Sequence, residues 1–85
     1  MMDAEQIEQL ISKESGATEV HAKVEGANVN IIAVGDVFAP LNRVKRQQLV
    51  YSPLKPLIAD GSIHAVSIKT YTPDDWQRDK KLMMP

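Results

Sequence analysis

The sequence predicts an α+β domain of order α-β-β-α-α-β-α, with a three-stranded mixed sheet covered by helices on one face. Three observations support this. Apolar residues recur at helical spacing behind a capping pattern near the start of the chain. Two runs with the alternation of strands flank Gly26, and a third such run follows only after two helical segments. The two early runs read as an antiparallel hairpin, whereas a connection long enough to hold two helices is the kind that joins parallel strands.

Asp3 and Gln6 have the spacing of a capping box, and Ile7, Leu10 and Ile11 share one face until Gly16, so a first helix is expected from about Ala4 to Ser15. Val20, Ala22 and Val24 alternate with Glu19, His21 and Lys23; Gly26 offers a turn, and Val29 to Val34 is a run rich in β-branched residues. Asn42 is the expected N-cap of a helix carrying Val44, Gln48 and Tyr51 on one stripe. Ser52-Pro53 then opens a short helix ending at Asp60-Gly61, and Pro56 removes a backbone donor early in it, so its start is expected to be irregular. The last strand is expected over Ile63 to Lys69. Thr72, Pro73 and Asp75 follow as N-cap, first helical residue and reciprocal cap of a final helix, which Tyr71 and Trp76 pack against the sheet. Lys80-Lys81 and the residues after them read as a fraying tail.

Composition narrows the function classes. Eighty-five residues make one domain, 1–85, with one modest core. A net charge of -1 provides no global attraction to nucleic acid or to an acidic membrane surface, and the absence of cysteine removes disulfides and thiolate ligands. No signal peptide and no membrane-spanning apolar run is recognisable, so the expected compartment is the cytoplasm. There is no nucleophile with an evident base and orienting acid, no paired carboxylates, no HExxH and no P-loop spacing, so no enzyme activity and no small-molecule substrate are expected.

The chemistry that remains lies in two histidines, one amide and a basic cluster. If the second and third strands are parallel neighbours, both begin at the hairpin tip, Gly26-Ala27-Asn28. His64 is then expected at that edge of the sheet, within reach of solvent. His21 falls about four strand pairs back, roughly 14 Å at ~3.4 Å per residue, too far to share a metal. His64 reads either as a half-buried histidine bonded to backbone or as an accessible ligand, and Asn28 first as a turn residue. His21 reads as a solvated strand residue rather than a metal ligand.

The segment Ile63 to Trp76 resembles the closing strand and helix of the BolA family. Val34-Gly35-Asp36-Val37-Phe38, followed by Arg43-Val44-Lys45-Arg46-Gln47-Gln48-Leu49-Val50-Tyr51, resembles that family's middle motif. The likeness covers about Val20 to Trp76 and is closest to the short, IbaG-like bacterial branch. It implies a class II KH-like fold, which has the same element order. It further implies that His64 is a ligand to a 2Fe-2S cluster shared with a monothiol glutaredoxin and glutathione, in iron-sulfur cluster assembly, trafficking or iron sensing. Ligand arithmetic agrees that such a cluster would have to be shared. It takes four ligands, usually thiolates, and this chain has no thiolate and one usable imidazole, so none is expected in the isolated chain. The family's second ligand, a histidine or cysteine of the hairpin loop, corresponds to Asn28, whose carboxamide is a poor match for cluster iron.

The alternative is a nucleic-acid-binding transcriptional regulator. Arg43, Lys45 and Arg46 open a helix that a second helix follows, and some BolA relatives are described as regulators. The residues between the helices, Val50-Tyr51-Ser52-Pro53, lack the GxxG with which KH domains clamp a nucleotide backbone. A helix with three basic residues is usually a solvated face, and the same three cations could as well dock an acidic protein partner as nucleic acid.

Overall fold

Helix α1 (Ala4–Ser15) begins and ends where the capping chemistry demands. Asp3 Oδ1 accepts from the Gln6 amide at 2.8 Å and Gln6 Oε1 accepts from the Asp3 amide at 3.1 Å, while Gly16 closes the last turn at φ +82°. Twelve residues are too few for a helix to persist alone in water, so α1 is held by Ile7 and Ile11, both buried. This computed structural model describes residues 3–83.

Strands β1 (Glu19–Glu25) and β2 (Asn28–Val34) form an antiparallel hairpin from Glu19↔Val34 to Glu25↔Asn28. Its two-residue turn has Gly26 at φ +62° in the first central position, the arrangement of a type II′ turn, whose twist matches that of the strands. After a 3-10 turn at Asp36–Phe38, helix α2 (Arg43–Tyr51) passes through a 3-10 turn (Ser52–Leu54) into α3 (Lys55–Ala59). The missing Pro56 donor is answered there by the tighter bond from the Lys55 amide to the Ser52 carbonyl. Strand β3 (Ala65–Tyr71) then pairs parallel with β2, from Asn28↔Ala65 to Val34↔Tyr71, and α4 (Pro73–Met83) ends the fold. The sheet order β1-β2-β3 leaves β3 at an edge.

The core lies between α1, α2, the second 3-10 turn and the inner face of the sheet. Ile7, Ile11, Val29, Ile31, Ala33, Phe38, Val50, Leu54 and Ile63 form it, with Val66 and Ile68 packed at its margin. Helices α1 to α3 thus lie on one face, as expected. Helix α4 departs from that rule: its Trp76, 2% exposed, packs on the opposite face, with ring centroids 5.3 Å from Tyr71 and 5.7 Å from His21. Among the described residues no helix is long and apolar enough to cross a membrane.

Three local expectations are corrected. The last strand runs two residues later than Ile63 to Lys69. The Ile63 amide bonds to the Leu57 carbonyl and the His64 amide to Ala27, so the ladder starts at Ala65, and the Gly35 amide extends it by bonding to Tyr71. The stripe Val44, Gln48, Tyr51 is not the buried face of α2. Val44 is 63% exposed, because the helix is oriented by Val50 and by Leu54 in the turn beyond it, and Val44 lies away from both. The tail expected from about Lys80 is helical through Met83, where Lys80 and Lys81 occupy the last turn and complement its negative pole; residues 84–85 lie outside the described residues.

Candidate functional site

The site is built around the link between α3 and β3. Gly61 turns the chain at φ +85°, and the Asp60 carboxylate accepts from the Ser62 amide at 2.8 Å. These hydrogen bonds from Ser62 hold the Asp60 carboxyl below the usual carboxylate range. Ile63 drops into the core at 2% exposure. The Ala27 carbonyl, at the hairpin turn, accepts from both the His64 amide at 2.8 Å and the Ala65 amide at 3.4 Å. His64 is therefore fixed by its main chain between a buried anchor and the first ladder pair, and it stands at the hairpin tip.

Its imidazole is exposed and makes no hydrogen bond with the described residues. Of the two alternatives, the ring is the accessible one and not the half-buried one: the backbone is organised in advance, the ring is not. Asn28 lies at the same end, exposed, directly opposite Ala65 in the ladder. The two residues that the sequence assigns to the ligand end are thus neighbours. One imidazole nitrogen is the donor chemistry available there, since the chain lacks cysteine and no group of three or more metal-binding side chains occurs among the described residues.

His21 belongs to a different arrangement. It pairs with Ile32, four ladder steps from the turn-closing pair, and its Nε2 is 2.5 Å from Glu19 Oε2. The same carboxylate oxygen accepts from the Trp76 indole at 3.0 Å. The bond from His21 holds the Glu19 carboxyl below its usual range; the indole and the charge of Lys80 act in the same direction, and partial desolvation opposes them. Glu19, which the sequence presents only as a polar strand residue, is the hub that ties β1 to α4. Its i, i+2 spacing from His21 on one strand face was the available signal.

The basic cluster divides. Arg43, Arg46 and Gln47 share one side of α2 and line a groove of 520 Å³ against β3, whereas Lys45 is not part of that lining. Arg46 is half-buried, because its Nε donates to the Leu41 carbonyl at 2.9 Å.

Comparison with known proteins agrees with this geometry. The family model described as BolA-like protein matches residues 3–75. The chain belongs to the BolA family. It is 47% identical over 81 residues to the acid stress protein IbaG of Escherichia coli K12, covering 95% of this chain and 96% of that one. An uncharacterised Haemophilus influenzae protein is 44% identical over 81 residues, covering 95% of each. Among solved structures, a BolA homologue from Coxiella burnetii superposes with a TM-score of 0.69 at 32% identity over 92% of this chain and 100% of the other. BolA1 from Arabidopsis thaliana gives a TM-score of 0.73 at 26% identity, over 88% and 98%. The BolA domain of SufE1 from the same plant gives 0.71 at 26%, over 84% and 92%. The three-stranded mixed sheet and its helices are thus the BolA architecture.

Proposed function

We propose that this BolA protein is a non-enzymatic adaptor that pairs with a monothiol glutaredoxin and contributes His64 to a shared 2Fe-2S cluster. The observation that carries the reading is the state of His64: an exposed ring without a hydrogen-bond partner among the described residues, on a backbone anchored at both neighbours. His21, the other imidazole of the chain, is engaged with Glu19 beside Trp76.

The donor set fits a contribution of one ligand. His64 would hold one iron through a neutral imidazole nitrogen, and the partner and glutathione would supply the thiolates that this chain lacks. The cluster's chemistry when bound is electron and iron-sulfur transfer. This chain's part is to present the imidazole, to keep the hairpin tip beside it, and to leave that end of the sheet open to the partner. Asn28 stands where a second ligand would help, and its carboxamide is a weak donor to such iron. The reading places the protein in cluster assembly, trafficking or iron sensing, in the cytoplasm; the name of the Escherichia coli relative, acid stress protein, is the ground for including a stress-response role.

The test is anaerobic co-purification with a monothiol glutaredoxin and glutathione, followed by absorption spectroscopy. A complex with cluster bands is expected. His64→Ala should lose or alter those bands while keeping the unfolding curve of the parent, His21→Ala and Asn28→Ala should change them less, and Asn28→His should stabilise them. Unchanged cluster bands and stability in His64→Ala would overturn the assignment.

A further inference from the structure

The outer edge of β3 presents a second surface, beyond His64 along the strand. Along a parallel pair, alternate residues direct both backbone groups to the neighbouring strand and the intervening ones direct theirs outward. The Tyr71 carbonyl accepts from Gly35 on the β2 side, while the Ile68 carbonyl accepts from a side chain of α2, so Val66, Ile68 and Thr70 form the outward set. An edge of this kind is a template for one more strand.

The contact to Ile68 shows how the template is used within the chain. Gln47 Nε2 donates to the Ile68 carbonyl at 2.9 Å, in the role an amide of an added strand would take. Around it, the groove is lined by Arg43 and Arg46 on one wall and by Ile68, Lys69 and Thr70 on the other, with Leu41 at one end and no carboxylate. Arg43 and Lys69 are in no ion pair among the described residues, and Arg46 commits only its Nε, leaving its terminal guanidinium donors available.

From this juxtaposition of an open strand edge and unneutralised cations, we propose that the groove between α2 and β3 binds an extended acidic segment of a partner protein as a fourth strand. Main-chain bonds to Val66 and Thr70 would set the register, and carboxylates on Arg43, Arg46 and Lys69 would select the partner. A second copy of this chain is disfavoured, since pairing β3 with β3 brings two like sets of cations together; the charges that reject self-association are those that accept an acidic strand. Nucleic acid is disfavoured as well. Its backbone offers phosphate acceptors but not the alternating donors and acceptors that a strand edge pairs with. The aromatic residue of the lining, Tyr71, has its ring against Trp76 and so is not placed as a stacking platform.

The surface does not depend on the cluster reading. It runs from Val66 to Tyr71, whereas His64 precedes the strand, so it begins about 7 Å beyond His64 and ends about 23 Å from it at ~3.3 Å per residue.

The test uses the isolated full chain, isotopically labelled, titrated by NMR with a capped synthetic peptide of alternating glutamate and valine. Controls are the lysine-valine peptide, the glutamate-valine peptide with alternate amides N-methylated, and an oligothymidylate. The acidic peptide should shift the amides of Val66 and Thr70 and slow their exchange with solvent. Arg43→Glu and Lys69→Glu, both at exposed positions, should each weaken binding by about tenfold or more. The proposal is overturned if the N-methylated peptide binds equally well, if the shifts fall outside the groove, if no binding occurs at millimolar peptide, or if oligothymidylate displaces the peptide from these amides at lower concentration. Sedimentation of the free chain as a dimer that the peptide does not dissociate would assign the edge to a second copy instead. None of these outcomes depends on glutaredoxin, so failure here is distinguishable from failure of the cluster assignment.

Discussion

Replacing Glu19 with alanine removes one carboxylate and two contacts, and the cost follows from what each leaves behind. The Trp76 indole N–H, on a side chain 2% exposed, loses its acceptor at 3.0 Å. An orphaned buried donor costs about 1–3 kcal/mol. The Glu19 side chain is 45% exposed, so water can enter the space it vacates, which favours the lower end of that range. The exposed pair with His21 adds less than about 1 kcal/mol. A loss of about 1–2 kcal/mol is therefore expected, equivalent to a fall in Tm of about 5–15 °C for a domain of this size. Glu19→Gln keeps a neutral acceptor for the indole and should lose about half as much. The pH dependence has a definite sign. Because the folded-state pKa of Glu19 is lowered, its contribution is present above the unfolded value of about 4.3 and is lost as the pH falls through the folded value. The difference between parent and Gln variant should thus shrink as the pH falls through the folded value of Glu19. Urea unfolding followed by the fluorescence of Trp76, the single tryptophan, measures all of this in one signal. An alanine variant as stable as the parent, or a Gln difference that persists undiminished in acid once Glu19 is protonated, would refute the role of Glu19 as hub.

Three further outcomes are expected. Leu54→Ala should destabilise the fold by about 2–5 kcal/mol in urea unfolding, because Leu54 is fully buried where α2 meets α3 and its removal leaves a cavity under the sheet. Gly26→Ala should cost about 1–2 kcal/mol although no atom lies within 4 Å of the added methyl, since φ +62° is disfavoured for any residue with a Cβ; faster amide exchange at His64, whose donor bond ends on the adjacent Ala27, is the accompanying sign. Val44→Lys should leave stability within about 0.5 kcal/mol of the parent, and a larger loss in thermal unfolding would show that Val44 has a buried role after all.

Much of the fold was legible because its determinants are local. The capping box at Asp3 and Gln6, the turn glycine at Gly26 and the helix start after Thr72 each act within a few residues, and each occurs where the sequence predicts it. The position of His64 was legible through topology, since a two-helix crossover implies parallel pairing and parallel pairing places the start of β3 at the hairpin tip. The choice between a half-buried and an accessible ring was not. That depends on Ile63, whose burial turns the next residue outward, and on the Ala27 carbonyl, which secures its backbone from 37 positions earlier in the chain. The two-sided use of the sheet was equally hidden, because Trp76 meets a carboxylate 57 residues away in sequence.

By itself, then, the sequence determined the order of elements, the mixed sheet, the need for any cluster to be shared and the family likeness that names His64, since these follow from periodicity, caps, crossover length, residue inventory and motif. Only the tertiary structure decided which of two histidines is tied to a carboxylate, which face of α2 is buried and which cations join the edge of β3 in one groove. These are outcomes of packing between segments far apart in the chain. A helix can rotate its stripe, and a carboxylate can exchange water for an imidazole and an indole, without any change in local pattern, so the choice is made by the contacts that close the core.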